Sequence, residues 1–140
     1  MATELIGLVP CAGRATRLGS LLGSKELLPV RHPEGPDRAR APVCEHLLGQ
    51  MRGAAIRRVW LVLRAGKWDI PETLGDGRAL GLDLAYLTLR ESRSVAETLD
   101  RAYQHVRDAR VAVGFPDVIA TPVDALARLA VQQLATGADL

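Results

Sequence analysis

Three cations stand among glycines in the stretch GLVPCAGRATRLGSLLGSKELLPV, residues 7–30: Arg14, Arg17 and Lys25. Glycine puts no side chain in the way, so successive backbone amides can converge on an anion. Guanidinium and ammonium groups beside such amides form charge-assisted hydrogen bonds to phosphate oxygens. The residue types therefore suit phosphate binding. The spacing matches neither the GxGxxG of dinucleotide-binding turns nor the GxxxxGK[ST] of the P-loop. By composition, a solvated basic loop after a strand explains the stretch equally well. The chain has sixteen arginines and only two lysines, Lys25 and Lys67, which singles out the lysine here.

The elements that would position these residues follow from the hydrophobic pattern. Leu5–Val9 is a short apolar run stopped by Pro10, as in a buried parallel strand. Arg57–Leu63, Leu82–Leu89 and Arg110–Phe115 are further strand candidates rich in β-formers. Leu27–Val30 reads as a short extended piece, and residues 31–42 as a polar Pro/Gly loop. Helical spacing marks Val43–Gly53, behind Pro42. A short helix in WDIPETLGDG ends at Gly75, and Asp124–Ala135 is amphipathic. Ser94–Arg107 carries an apolar stripe, with Ser94 and Glu97 spaced as a capping box. Strands alternating with helices predict a parallel α/β sheet covered on both faces. Ligands of such sheets sit at the carboxyl ends of the strands. The basic loop lies at one such end and GFPD, residues 114–117, at another.

The 140 residues suffice for a single domain, residues 1–140. The apolar share of 48% and the charged share of 24% are those of a soluble globular chain. A net charge of +2 gives no case for a nucleic-acid or membrane partner. No apolar run approaches the ~20 residues of a membrane helix. Cys11 and Cys44 have no metal-ligand spacing, and the N-terminus has neither basic flank nor cleavage site. The expectation is a cytoplasmic protein with two reduced thiols.

Order and spacing carry more than composition. AGRATRL…SKELLPV resembles the paired signature GxGTRLxP and PKxLLPV of the sugar-1-phosphate nucleotidyltransferases, such as the glucose-1-phosphate thymidylyl- and uridylyltransferases. PVCEHLLGQMRGAAIRRVWLVL is similar to the continuation of that family, and the resemblance covers most of residues 5–120. It implies a Rossmann-like three-layer α/β/α fold with a mostly parallel sheet. It also implies a reaction between a nucleoside triphosphate and a sugar 1-phosphate, with release of pyrophosphate and usually Mg²⁺ as cofactor. The backbone of Ala12, Gly13, Arg14, Ala15 and Thr16 would wrap the triphosphate. Arg17 matches the arginine of the first motif and would neutralise phosphoryl charge. Lys25 matches the lysine of the second and would bridge the phosphates of both substrates. Ala96 fits the small residue beneath the base.

The departures are specific. Ala15 replaces the second glycine and Ser24 the proline before the lysine. The strand end that usually reads GD, its aspartate on the metal, reads Gly114-Phe115-Pro116-Asp117. Asp117 is therefore either the displaced metal ligand or a turn residue after proline. Ser94 stands where glycine is usual in the base-reading loop, and no glutamine is found there. The chain stops well short of the family's catalytic domains, which implies truncation at the C-terminus and exposed apolar surface suited to a homo-oligomer. The expected function is a nucleotidyltransferase, or its nucleotide-binding half. The alternatives are a non-catalytic nucleotide-binding or partner-binding module and an unrelated α/β domain. His32, His46, His105, Trp60, Trp68, Asp76 and Asp83 read as packing, loop or edge residues, and Lys67 and Asp69 as surface residues on the ligand edge.

Overall fold

The computed structural model describes residues 3–14, 22–34 and 40–138. In chain order the elements are β1 (Leu5–Cys11), β2 (Pro29–Arg31), β3 (Arg40–Pro42), α1 (Val43–Gly53), β4 (Arg58–Arg64), α2 (Asp69–Leu74), β5 (Asp83–Leu89), α3 (Val95–Asp100), α4 (Tyr103–Val106), β6 (Arg110–Val113) and α5 (Ala125–Thr136). The main sheet has the order β5-β4-β1-β6, with every pair parallel. β2 and β3 form a separate antiparallel pair. Parallel neighbours need crossovers, and α1, α2 and the α3–α4 pair supply them.

The side-chain period of two sorts the strands onto two faces. Val9, Cys11, Leu61 and Leu63 pack with Cys44, Leu48, Met51 and Ile70 on the α1/α2 side. Leu8 and Val62 pack with Ala102 on the α3/α4 side, flanked by Trp60, Leu87 and Leu99. Fully burying each such aliphatic side chain stabilises the fold by about 1.5–3 kcal/mol. The result is the three-layer α/β arrangement with a parallel sheet that the sequence implied. Among the described residues no helix is long and apolar enough to cross a membrane.

Beyond one-residue shifts at β4, β5 and α5, five expectations differ. The polar loop expected over 31–42 ends in β3, which pairs with β2 and sets Arg40 opposite Arg31. β1 runs through Pro10 to Cys11 instead of stopping at Val9. The Leu8 carbonyl accepts from Gly114 N on the β6 side, so Pro10, two residues on, faces that side too. Register with β6 ends at Leu8 opposite Val113, so the absent N–H of Pro10 has no ladder partner to lose. β6 in turn ends at Val113 rather than Phe115. A Cβ on Gly114 would lie 2.5 Å from Leu47 Cδ1, so the chain passes tightly under α1 there. The expected helix over 94–107 is two short helices, tightened at Ala102 by i→i+3 bonds to and from Leu99 and His105. The extended piece expected over 27–30 is a 3₁₀ turn at Lys25–Leu27 followed by β2. The expected stop of α2 stands: Gly75 has φ +57°, a conformation that favours glycine.

Candidate functional site

The chain leaves β1 toward β4 on one side and returns to β6 on the other. The carboxyl ends of β1 and β6 therefore flank the switch point of the sheet, where a crevice forms because successive connections diverge. A cleft of about 320 Å³ opens there. Its walls include Ala12 and Gly13 after β1, Lys25 and Glu26, Ser94 before α3, and Asp117 after β6. Pro10 and Phe115, the residues at which the two ladders part, line it as well.

Three successive residues stitch the strand ends together. Ser24 donates to Asp69 twice, its amide to Oδ2 and its hydroxyl to Oδ1, each at 2.7 Å. Burial alone would raise the Asp69 carboxyl, but the two Ser24 donors more than reverse this and hold it below the ordinary value. Lys25 Nζ donates to Asp117 Oδ2 at 2.5 Å. That hydrogen bond lowers the Asp117 carboxyl against the opposing effect of burial. Glu26, only 1% exposed, accepts from Lys67 Nζ at 2.8 Å through Oε1. Its Oε2 has no partner among the described residues. Burial, then the Glu26 charge, pushes the nearby Cys11 thiol up, so it stays protonated and unreactive.

Lys67 and Asp69 thus hold the Ser24–Glu26 segment rather than decorating the surface. The available signal was their position at the end of the second strand, with charge and polarity complementary to Ser24 and Glu26. Gln50 of α1 performs a similar service for the chain that follows β6. Its Nε2 donates to the Ala120 carbonyl at 2.7 Å, and its Oε1 accepts from Leu126 N at 3.3 Å, tying α5 and the loop after β6 to α1.

Of the sequence-derived site residues, Ala12, Gly13, Lys25 and Asp117 line this one cleft. Arg14 lies on an adjoining hollow of about 370 Å³ shared with Ser24, Lys25, Lys67 and Asp69. Its exposed guanidinium is 3.2 Å from Glu91 Oε1. Ala96 is exposed on α3 and outside the cleft lining, whereas Ser94, Val95 and Thr98 form part of that wall. Ala15, Thr16 and Arg17 lie outside the described residues. Ser94 caps α3 by accepting from Glu97 N at 3.1 Å, and Glu97 Oε2 accepts from Arg93 N at 2.8 Å. This is the expected capping box with its return bond one residue earlier.

Asp117 is both a turn residue and a cleft residue: Val118 N donates to the Phe115 carbonyl at 3.2 Å, closing the turn that carries it. Among the described residues there is no group of three or more His, Cys, Asp or Glu suited to a metal ion. One carboxylate fits a Mg²⁺ only when phosphate oxygens and waters complete the shell, which is the usual way Mg²⁺ is held with nucleotides.

Fold and site together define a Rossmann-like α/β domain with a cationic, carboxylate-rimmed crevice at its switch point. No protein-family model matches the sequence, and neither does any curated protein. Solved structures do match. A glucose-1-phosphate thymidylyltransferase from Bacillus anthracis, in complex with sucrose, superposes with a TM-score of 0.78 at 19% identity over 93% of this chain. A UTP-bound UGPase from Acinetobacter baumannii gives 0.75 at 17% over 96%. A UDP-glucose pyrophosphorylase complexed with UDP-glucose gives 0.74 at 14% over 94%. The chain spans 51%, 54% and 53% of those three chains, about half of each. At these identities the likeness establishes the fold, and it is the fold that the paired sequence signature implied.

Proposed function

We propose that this chain is the nucleotide-binding part of a sugar-1-phosphate nucleotidyltransferase. In that reaction an oxygen of the sugar phosphate attacks the α-phosphorus of a nucleoside triphosphate. The bond from that phosphorus to the oxygen bridging to the β-phosphate breaks, and pyrophosphate leaves. The observation that carries the reading is Lys25 on the wall of the switch-point cleft, its backbone held on both sides by the bonds of Ser24 and Glu26. An ammonium fixed there neutralises charge on crowded phosphates and aligns them, which is most of what phosphoryl transfer asks of a protein. Ala12 and Gly13 offer unobstructed amides, Arg14, Ala15 and Thr16 continue the wrap, and Arg17 adds a guanidinium to the leaving pyrophosphate. Ala96 is assigned to the base end. Mg²⁺, when bound, supplies further charge neutralisation, and Asp117 is the residue that would hold it. The reading places the protein in the cytoplasm.

Titration of labelled nucleoside triphosphates against the wild type, Lys25→Ala and Arg17→Ala tests the site. Loss of one charge-assisted contact should weaken binding roughly ten- to a hundredfold. Binding indifferent to both substitutions would reject the phosphate site.

One observation favours a second reading, a non-catalytic nucleotide-binding module. Phe115 and Pro116 separate Asp117 from the strand end, and its carboxylate is taken up by Lys25. Titrating a nucleoside triphosphate with and without Mg²⁺ separates the two. Binding that tightens with Mg²⁺ and needs Asp117 for that gain supports the transferase part; binding indifferent to Mg²⁺ supports the module.

A further inference from the structure

The contact between Lys25 and Asp117 has a consequence for how an anion enters the cleft. Among the described residues, Lys67 is paired with buried Glu26, Arg93 of the cleft wall with Glu97, and Arg14 with Glu91. Lys25 lines both the cleft and the adjoining hollow, and its ammonium is held by Asp117. We propose that Asp117 is an internal anion that competes for Lys25 and must be displaced before a phosphate can take its place. This rests on the reading of Lys25 as a phosphate-binding cation.

The geometry makes the exchange local. The backbone on either side of Lys25 is pinned by the Ser24–Asp69 and Glu26–Lys67 bonds, so the segment need not move. Asp117 rides on a solvent-facing turn, and its side chain is 40% exposed, so water can receive the displaced carboxylate. A phosphate brings more charge and more acceptor oxygens to Lys25 than one carboxylate does. It still binds against a competitor tethered beside the cation, whose local concentration is high and constant. Asp117 therefore lowers anion affinity in the absence of a cation, the opposite of what a residue that only assists binding would do.

The test is calorimetric titration of inorganic tripolyphosphate, in buffer containing a chelator, into wild type, Asp117→Asn, Lys25→Ala and the double variant, each checked for folding by circular dichroism. The exposed position of Asp117 and the near-isosteric change keep the first variant foldable. Asp117→Asn should bind about two- to fivefold more tightly than wild type, the worth of a partly exposed ion pair. The double variant should bind no better than Lys25→Ala. Binding that needs Lys25 but is unchanged or weakened in Asp117→Asn overturns the competition and leaves the phosphate site standing. Binding indifferent to Lys25, or absent from both wild type and Asp117→Asn, overturns both.

Discussion

Glu26 and Lys67 meet at 2.8 Å behind the wall of the cleft, 41 positions apart in the chain, with the glutamate almost wholly removed from water. A buried carboxylate is tolerable only while its counter-charge is present. The pair thereby anchors the residue next to Lys25 to the end of β4, linking stability directly to the site.

Removing only Lys67 should be costly. Lys67→Met leaves the buried Glu26 carboxyl without its counter-charge, and should lower stability by about 3–5 kcal/mol, a large share of a domain's total. Urea unfolding followed by circular dichroism measures this. Glu26→Gln combined with Lys67→Met removes both charges and should recover most of the loss. A harmless Lys67→Met would mean that the pair contributes nothing.

Gly114 should resist even alanine. The added methyl would meet Leu47 Cδ1 at 2.5 Å and Cδ2 at 2.8 Å, so Gly114→Ala should destabilise by about 1–3 kcal/mol through overpacking. Leu47→Ala in the same chain should relieve part of that penalty, visible as a thermal midpoint higher than additivity allows. Strict additivity of the two substitutions would argue that the contact is not the cause.

Gln50→Leu should free the loop after β6 and the start of α5. It removes the hydrogen bonds to the exposed Ala120 and the half-buried Leu126, at about 0.5–1.5 kcal/mol each. Hydrogen exchange should speed up across residues 118–128 while β1 and β4 stay protected. Uniform acceleration throughout the chain would instead assign Gln50 to global stability.

Acid should loosen the site before the core. Asp69 and Asp117 both lie below the ordinary carboxylate value, the former because Ser24 outweighs burial, the latter through its bond from Lys25. A carboxyl lowered by folding stabilises the fold above its unfolded value, and that contribution disappears as pH falls through the folded value. The window therefore opens near pH ~4 and extends downward. Asp69→Asn with Asp117→Asn should flatten the stability profile below that point, measured by chemical unfolding at a series of pH values. An unchanged slope would place the acid sensitivity elsewhere.

Much of the architecture was legible in local pattern. Helical spacing predicts Val43–Gly53 with the observed bounds, and β4 and β5 lie within one residue of their expected positions. Runs of β-formers and a 3.6-residue stripe are properties of neighbouring residues, so neighbouring residues reveal them. Pro10 reads as a strand stop from sequence because a proline's cost depends on which side of the strand its partner lies, and the partner of β1 on that side is more than a hundred residues away. The sequence predicts one helix over 94–107 because its apolar stripe continues through Ala102. The fully buried Ala102 instead sits where the backbone tightens.

The site divides along the same line. The type and order of Gly13, Lys25 and their neighbours determined the chemistry, since flexible backbone beside an ammonium suits phosphate wherever it is placed. Tertiary structure alone decided that Lys25 rests on Asp117, that Glu26 is buried against Lys67, and that Asp69 grips Ser24. Those pairs are separated by 92, 41 and 45 positions, and only the strand order β5-β4-β1-β6 brings their ends to a common edge. Local sequence sets which groups a segment carries; the closing of the sheet sets which groups they meet, because contact energies act over a few ångströms and not along the chain.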